Sequence, residues 1–174
     1  MMLVACTLIL VAATSTLPSG APPQAPGPRY PSEEALRRYA QGRLLEEQGQ
    51  RDLAIGEYAR ALVLDDGAGT LARRMSEASA VSGEASRSLE FAVRALAIDS
   101  ADARASWLKG TALLNLGRGR DALPPLEAAA TLDSERVEYA RTLGRAAESI
   151  DRLDLALRSF RRAVWLEPDD AESW

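Results

Sequence analysis

The sequence predicts an all-α solenoid of antiparallel helix pairs, and three observations predict it. Ala61, Ala95, Ala129 and Ala163 recur every 34 residues. Three residues on stands an aliphatic (Leu64, Ile98, Leu132, Leu166), followed by an acid (Asp65, Asp99, Asp133, Glu167). Gly49, Gly83 and Gly117 keep the same period ahead of them. Self-similarity of this length belongs to stacked units, each burying its apolar face only against its neighbours. Such an array presents an extended surface, not an enclosed pocket, so holding a partner is the expected mode of action.

Composition narrows the chemistry. The 174 residues are 47% hydrophobic but only 5% aromatic, so packing must rest mainly on Leu and Ala. A formal net charge of −4 gives no reason to expect nucleic acid. Lys109 is the only Lys, a bias toward Arg that reads as genome base composition, here bacterial. There is no His, which removes the commonest general base and metal ligand. Cys6 is the only Cys, so neither an intrachain disulfide nor a Cys-cluster zinc site can form. No metal or other cofactor is expected, and no catalytic residue. The acidic doublets Glu33-Glu34, Glu46-Glu47, Asp65-Asp66 and Asp169-Asp170 read as caps and solvated charge.

A disordered N-terminal segment is expected to precede the fold. Residues 1–21 read as a signal peptide or an N-terminal membrane stub. Met1 to Leu17 carries no charge, and Met1 to Ala13 has the length of a signal-peptide apolar core, short of a bilayer span. Cleavage would fall between Ala13 and Ala21. No basic residue precedes the apolar run, so either the true start lies upstream or the stub stays uncleaved. Leu3-Val4-Ala5-Cys6 resembles a lipobox, but the apolar run continues through Leu8, Ile9 and Leu10. Cys6 is therefore read as one apolar residue of the signal and not as a lipidation site. Residues 18–31 hold six of the nine Pro and read as a semi-rigid linker. The expected location is exported, periplasmic or envelope-associated, with the cytoplasm as the alternative and the membrane reached only through this segment.

Order is expected from Ser32, an N-cap residue followed by Glu33 and Glu34 in the first turn. The array is assigned to residues 32–170, with units at about 35–68, 69–102, 103–136 and 137–170. The first helix of the first unit runs to about Glu47, and Gly49 breaks it. The second carries Ala54, Ile55, Tyr58, Ala61, Leu62 and Leu64 at helical spacing, and Asp65-Asp66-Gly67 ends it. Gly49, Gly83 and Gly117 suit the left-handed residue that closes a helix, with Asp151 standing there in the fourth unit. Gly42, Ser76, Gly110 and Gly144 lie mid-helix, which predicts a close crossing against Ala54, Ser88, Ala122 and Ala156. Pro124-Pro125 is reconciled with a helix if Asp121 is its N-cap, leaving both within the first four residues.

These in-phase residues resemble the tetratricopeptide repeat, whose unit places Leu-Gly in the first helix, then Ala-x3-Phe, a small residue and a closing Pro. The fourth unit matches best, with Leu143-Gly144, Ala156-x3-Phe160, Ala163 and Pro168. The first has Gly42, Ala54-x3-Tyr58 and Ala61, and the third Gly110, Ala122-x3-Leu126 and Ala129. The second departs most, with Ser88 and Ala92 at those places and a polar first helix, so its packing is expected to be loosest. The resemblance covers Ala35 to Trp174. It implies a right-handed α-solenoid of four antiparallel helix pairs with first helices lining the concave face. Residues 171–174 then open a fifth unit with Trp174 at the family's first-helix Trp position. The expectation is a fragment of a longer array, with a short tail folding back as the alternative.

If that geometry holds, Tyr39/Arg43, Arg73/Glu77, Trp107/Thr111 and Arg141/Arg145 form one stripe, with Arg74 and Arg104 beside it. Arg and aromatics anchor interfaces, which points to a protein or peptide partner of acidic character. Glu46, Glu138 and Glu148 interleave, so a solvated face reads equally well. The inner positions 43, 77, 111 and 145 hold Arg, Glu, Thr and Arg, unlike the Asn-based chaperone-tail clamps of the family. A protein-binding scaffold of the bacterial cell envelope is the expected function. The alternative is the N-terminal array of a larger enzyme or sensor, and self-association through the open C-terminal end is a third possibility.

Overall fold

The computed structural model describes residues 32–65 and 67–168. Eight helices follow one another among them: α1 (Glu33–Glu47), α2 (Arg51–Leu64), α3 (Gly69–Val81), α4 (Ala85–Ile98), α5 (Ala103–Asn115), α6 (Gly119–Leu132), α7 (Val137–Glu148) and α8 (Leu153–Leu166). No strand occurs among the described residues. Odd-numbered first helices pair with the even-numbered second helices that follow, and each second helix packs on the next first helix. The architecture is the all-α solenoid of four helix pairs that the period predicts. The apolar leader, Cys6, the Pro-rich linker and the fifth-unit segment fall outside the described residues.

Local chemistry explains the repeated boundaries. Ser32 caps α1, its hydroxyl accepting from the Ala35 N–H at 3.1 Å. Asp102 caps α5 in the same manner at 2.9 Å. Between the helices of a pair, Gly49, Gly83 and Gly117 adopt φ of 77°, 78° and 73°, and Asp151 adopts 59°. The next N–H then reaches back to a carbonyl of the finished helix in every unit. Gln50 donates to Leu45, Glu84 to Ser79, Arg118 to Leu113 and Arg152 to Ala147, at 2.8–2.9 Å.

The cap assigned to Asp121 is corrected. α6 begins at Gly119 after Arg118, so Asp121 lies in its first turn and Pro124 and Pro125 lie inside the helix. Their absent donors would have served the carbonyls of Arg120 and Asp121, so the ladder does lose two bonds. The helix persists because Ala122, Leu123, Leu126 and Ala129 on either side are buried.

The mid-helix crossing is also sharpened. The space left by Gly42, Gly110 and Gly144 is filled less by the small residues opposite than by Tyr58, Leu126 and Phe160, one turn further on. A Cβ at Gly144 would sit 2.6 Å from Phe160 Cε1, inside any real contact. The second pair closes differently. Ala92 replaces the large side chain, and the Ser76 hydroxyl donates to the Ser88 carbonyl at 2.8 Å. Ser76, Ser88 and Ala92 are all buried.

Candidate interaction surface

Two adjoining clefts open across consecutive first helices. The first, about 270 Å³, lies between α1 and α3 over Leu36, Tyr39, Ala68 and Leu71, with Arg73 and Arg74 at its rim. The second, about 560 Å³, spans α3, α5 and α7, and again includes Arg73 and Arg74. Four arginines (Arg73, Arg74, Arg104, Arg136) there face four carboxylates (Glu77, Asp102, Asp133, Glu138). The surface is therefore apolar at its N-terminal end and zwitterionic in the middle.

The ion pairs have a hub. Glu77, only 15% exposed, receives Arg73 at 3.2 Å, Arg74 at 3.0 Å and Arg104 at 3.2 Å. Arg73 also reaches Asp102 at 3.0 Å, and Arg104 reaches Glu138 at 2.5 Å. Arg104 thus ties α3 to α7 across α5. Its guanidinium lies 4.5 Å over the Trp107 ring. Trp107 stacks on Tyr139 with centroids 6.0 Å apart and donates its indole N–H to Thr142 Oγ1 at 3.0 Å. Burial raises the Tyr139 phenol above its ordinary range, against the pull of Arg104. Burial and the hydrogen bond to Glu46 raise the Tyr58 phenol likewise.

The predicted residues separate into two groups. Tyr39, Arg73, Arg74, Arg104 and Trp107 come together along the two clefts. Arg43 lies beside Tyr39 and also reaches Glu46 and Glu47 of its own helix, and Arg141 lies 3.5 Å from Glu167. Arg145 is exposed and makes no ion pair with a described residue. Most of these arginines are already matched by carboxylates of the same face, so that face carries no surplus of positive charge. Trp107 is committed to packing α5 on α7.

The sequence reading passed over Leu36, Asp102, Arg136 and Tyr139. One signal was available: Arg104 and Glu138 are opposite charges one period apart, and that phase places them on neighbouring first helices. Among the described residues, no group of three or more His, Cys, Asp or Glu could hold a metal ion. No described helix is long and apolar enough to cross a membrane.

Fold, turn geometry and repeat phase together define a tetratricopeptide-type solenoid. No protein-family model and no curated protein matches the chain. Solved structures do. MamA from Desulfovibrio magneticus RS-1 (residues 41 to the end) is 20% identical, over 83% of this chain and 81% of that one, with a TM-score of 0.78. YrrB, described as a TPR protein with an unusual peptide-binding site, is 24% identical, over 80% and 72%, with a TM-score of 0.72. At these identities the likeness is one of fold.

Proposed function

We propose that the chain is a non-enzymatic scaffold that holds an extended segment of a partner protein along its first helices. The observation that carries this reading is the pair of adjoining clefts sharing Arg73 and Arg74. The first would seat an apolar side chain against Leu36, Tyr39 and Leu71. The second would accept charge of both signs, because a ligand carboxylate there must compete with Glu77 and Glu138. The peptide-binding site named for YrrB, which shares the fold, supports the same mode. We place this activity in the bacterial cell envelope, on the strength of the uncharged apolar run from Met1 to Ala13.

Photo-crosslinking in the native host tests it. A crosslinker at Leu36 or Arg136, which line the two clefts, is expected to capture one common protein, and capture from Leu36 is expected to be lost in a Tyr39→Ala variant. A crosslinker at Val93, exposed on the second helix α4, is expected to capture none of it. Capture from Val93 but not from Leu36 would overturn the reading. Arg73→Glu is a poor probe, because it sets a carboxylate against Glu77 and Asp102 and disturbs the fold itself.

A further inference from the structure

We propose that Glu77 sets the specificity of the first-helix surface, turning acidic segments away and admitting an apolar anchor flanked by uncharged residues. This inference rests on the reading that a partner segment is held along those helices. The second unit alone carries an acid at the inner position of its first helix. Arg43, Thr111 and Arg145 stand there in the others.

Three guanidiniums converge on that one carboxylate. Arg73, Arg74 and Arg104, with side chains 24%, 33% and 35% exposed, reach it from α3 and α5. Glu77 therefore occupies the place that a ligand carboxylate would seek among these arginines. Their other partners differ. Arg73 also has Asp102, and Arg104 also has Glu138. Arg74 pairs with Glu77 alone among the described residues. Glu77 is thus the residue that neutralises Arg74, and Arg74 lines both clefts.

Charge balance makes this arrangement a filter. The second cleft sets four arginines against four carboxylates, and without Glu77 it would set four against three. A ligand acid entering it must displace Glu77 from partly buried arginines, which leaves a carboxylate without its partner. An uncharged segment displaces nothing. Arg74 bonds Glu77 through Nη1, and a guanidinium carries further N–H donors beyond that nitrogen. Those donors suit the neutral backbone carbonyls of an extended segment.

The anchor has one seat. At the repeat position of Leu36 the later units hold Thr70, Arg104 and Glu138, all polar. The apolar cleft over Leu36 and Tyr39 has Arg73 and Arg74 at its rim. The residues flanking the anchor are therefore the ones that Glu77 screens.

A random-peptide display library panned against the full chain tests this. The wild type is expected to select an apolar residue flanked by uncharged residues, and Tyr39→Ala to lose that selection. Glu77→Gln is expected to raise Asp and Glu beside the anchor about threefold, the worth of one partly exposed ion pair. Arg74→Gln leaves the cleft with a surplus negative charge and is expected to raise Lys and Arg there by a similar factor. Glu77→Gln/Arg74→Gln restores the balance and, with it, the wild-type preference. A purely structural role for Glu77 would lower capture of every peptide and shift none of these preferences. Acid-rich peptides selected by the wild type would overturn the inference, as would an unchanged acid content with Glu77→Gln. Should Glu77→Gln not fold, Arg74→Gln decides alone, and a wild-type selection from it would overturn the filter. Selection of no Tyr39-dependent peptide by any of these proteins is a different failure. It would overturn the holding of a segment, and this inference with it.

Discussion

The second helix pair and the other three solve one crossing in opposite ways. In the first, third and fourth pairs, a glycine on the first helix opens a hole and Tyr58, Leu126 or Phe160 fills it. In the second pair the large side chain is gone. Ser76 stands where the glycine was, and its hydroxyl bonds the Ser88 carbonyl and lies 3.1 Å from the Ser88 hydroxyl. Volume moved from one helix to the other and a hydrogen bond replaced part of the contact. The apparent drift of the second unit is therefore a paired exchange at positions 76 and 92. Further along α3, the buried Ser79 hydroxyl has no hydrogen-bond partner among the described residues.

The largest expected effect comes from emptying a filled hole. Leu126 is fully buried against Gly110. Leu126→Ala is expected to cost about 2–5 kcal/mol, from lost burial and the cavity left behind. Urea denaturation followed by circular dichroism measures it. Ser88→Ala, the corresponding lesion in the second pair, is expected to cost only about 1 kcal/mol, because one hydroxyl contact is lost and no cavity of that size forms. Equal losses would break the distinction between the two crossings.

A smaller effect tests whether the two arrangements are interchangeable. Ala92→Phe is expected to overpack the second crossing by about 1–3 kcal/mol, since Ser76 occupies the space the ring needs. Adding Ser76→Gly reopens that space and is expected to recover most of the loss. The coupling between neighbouring sites is then the quantity of interest. If the double variant is no more stable than Ala92→Phe alone, the second crossing differs by more than one exchanged pair.

The same contrast separates what the sequence reveals from what it hides. The fold was legible because the period repeats in residues whose roles are local: the turn at Gly49, Gly83 and Gly117, and the buried Ala61, Ala95, Ala129 and Ala163. The Asp121 cap misled because the α6 start copies the backbone of its sister helices at Gln50, Glu84 and Arg152, none of which uses a side-chain cap. At the surface, the residue types along the stripe were legible, but their pairing was not. Arg73 and Arg104 resemble free anchors until Glu77, Asp102 and Glu138 are seen to answer them. That answer depends on distances between helices, which a one-dimensional period does not carry.

The smallest expected effect lies at the turns, where glycine serves the opposite purpose. A Cβ at Gly49, Gly83 or Gly117 would meet nothing within 4 Å, so space is not the constraint there. Positive φ is, and Asp151 bears it with a side chain. Left-handed backbone costs an ordinary residue roughly 1–2 kcal/mol, and less for Asp. Glycine's greater freedom in the unfolded chain takes back about 0.4–1 kcal/mol. Asp151→Gly is therefore expected to stabilise the array by no more than about 0.5 kcal/mol, and Gly117→Asp to destabilise it by a similar amount. Matched thermal melts of the two variants read both signs. Destabilisation by Asp151→Gly would mean that the aspartate side chain contributes something glycine cannot. The fourth turn would then join the second crossing as a place where the repeat holds its geometry with a different chemistry.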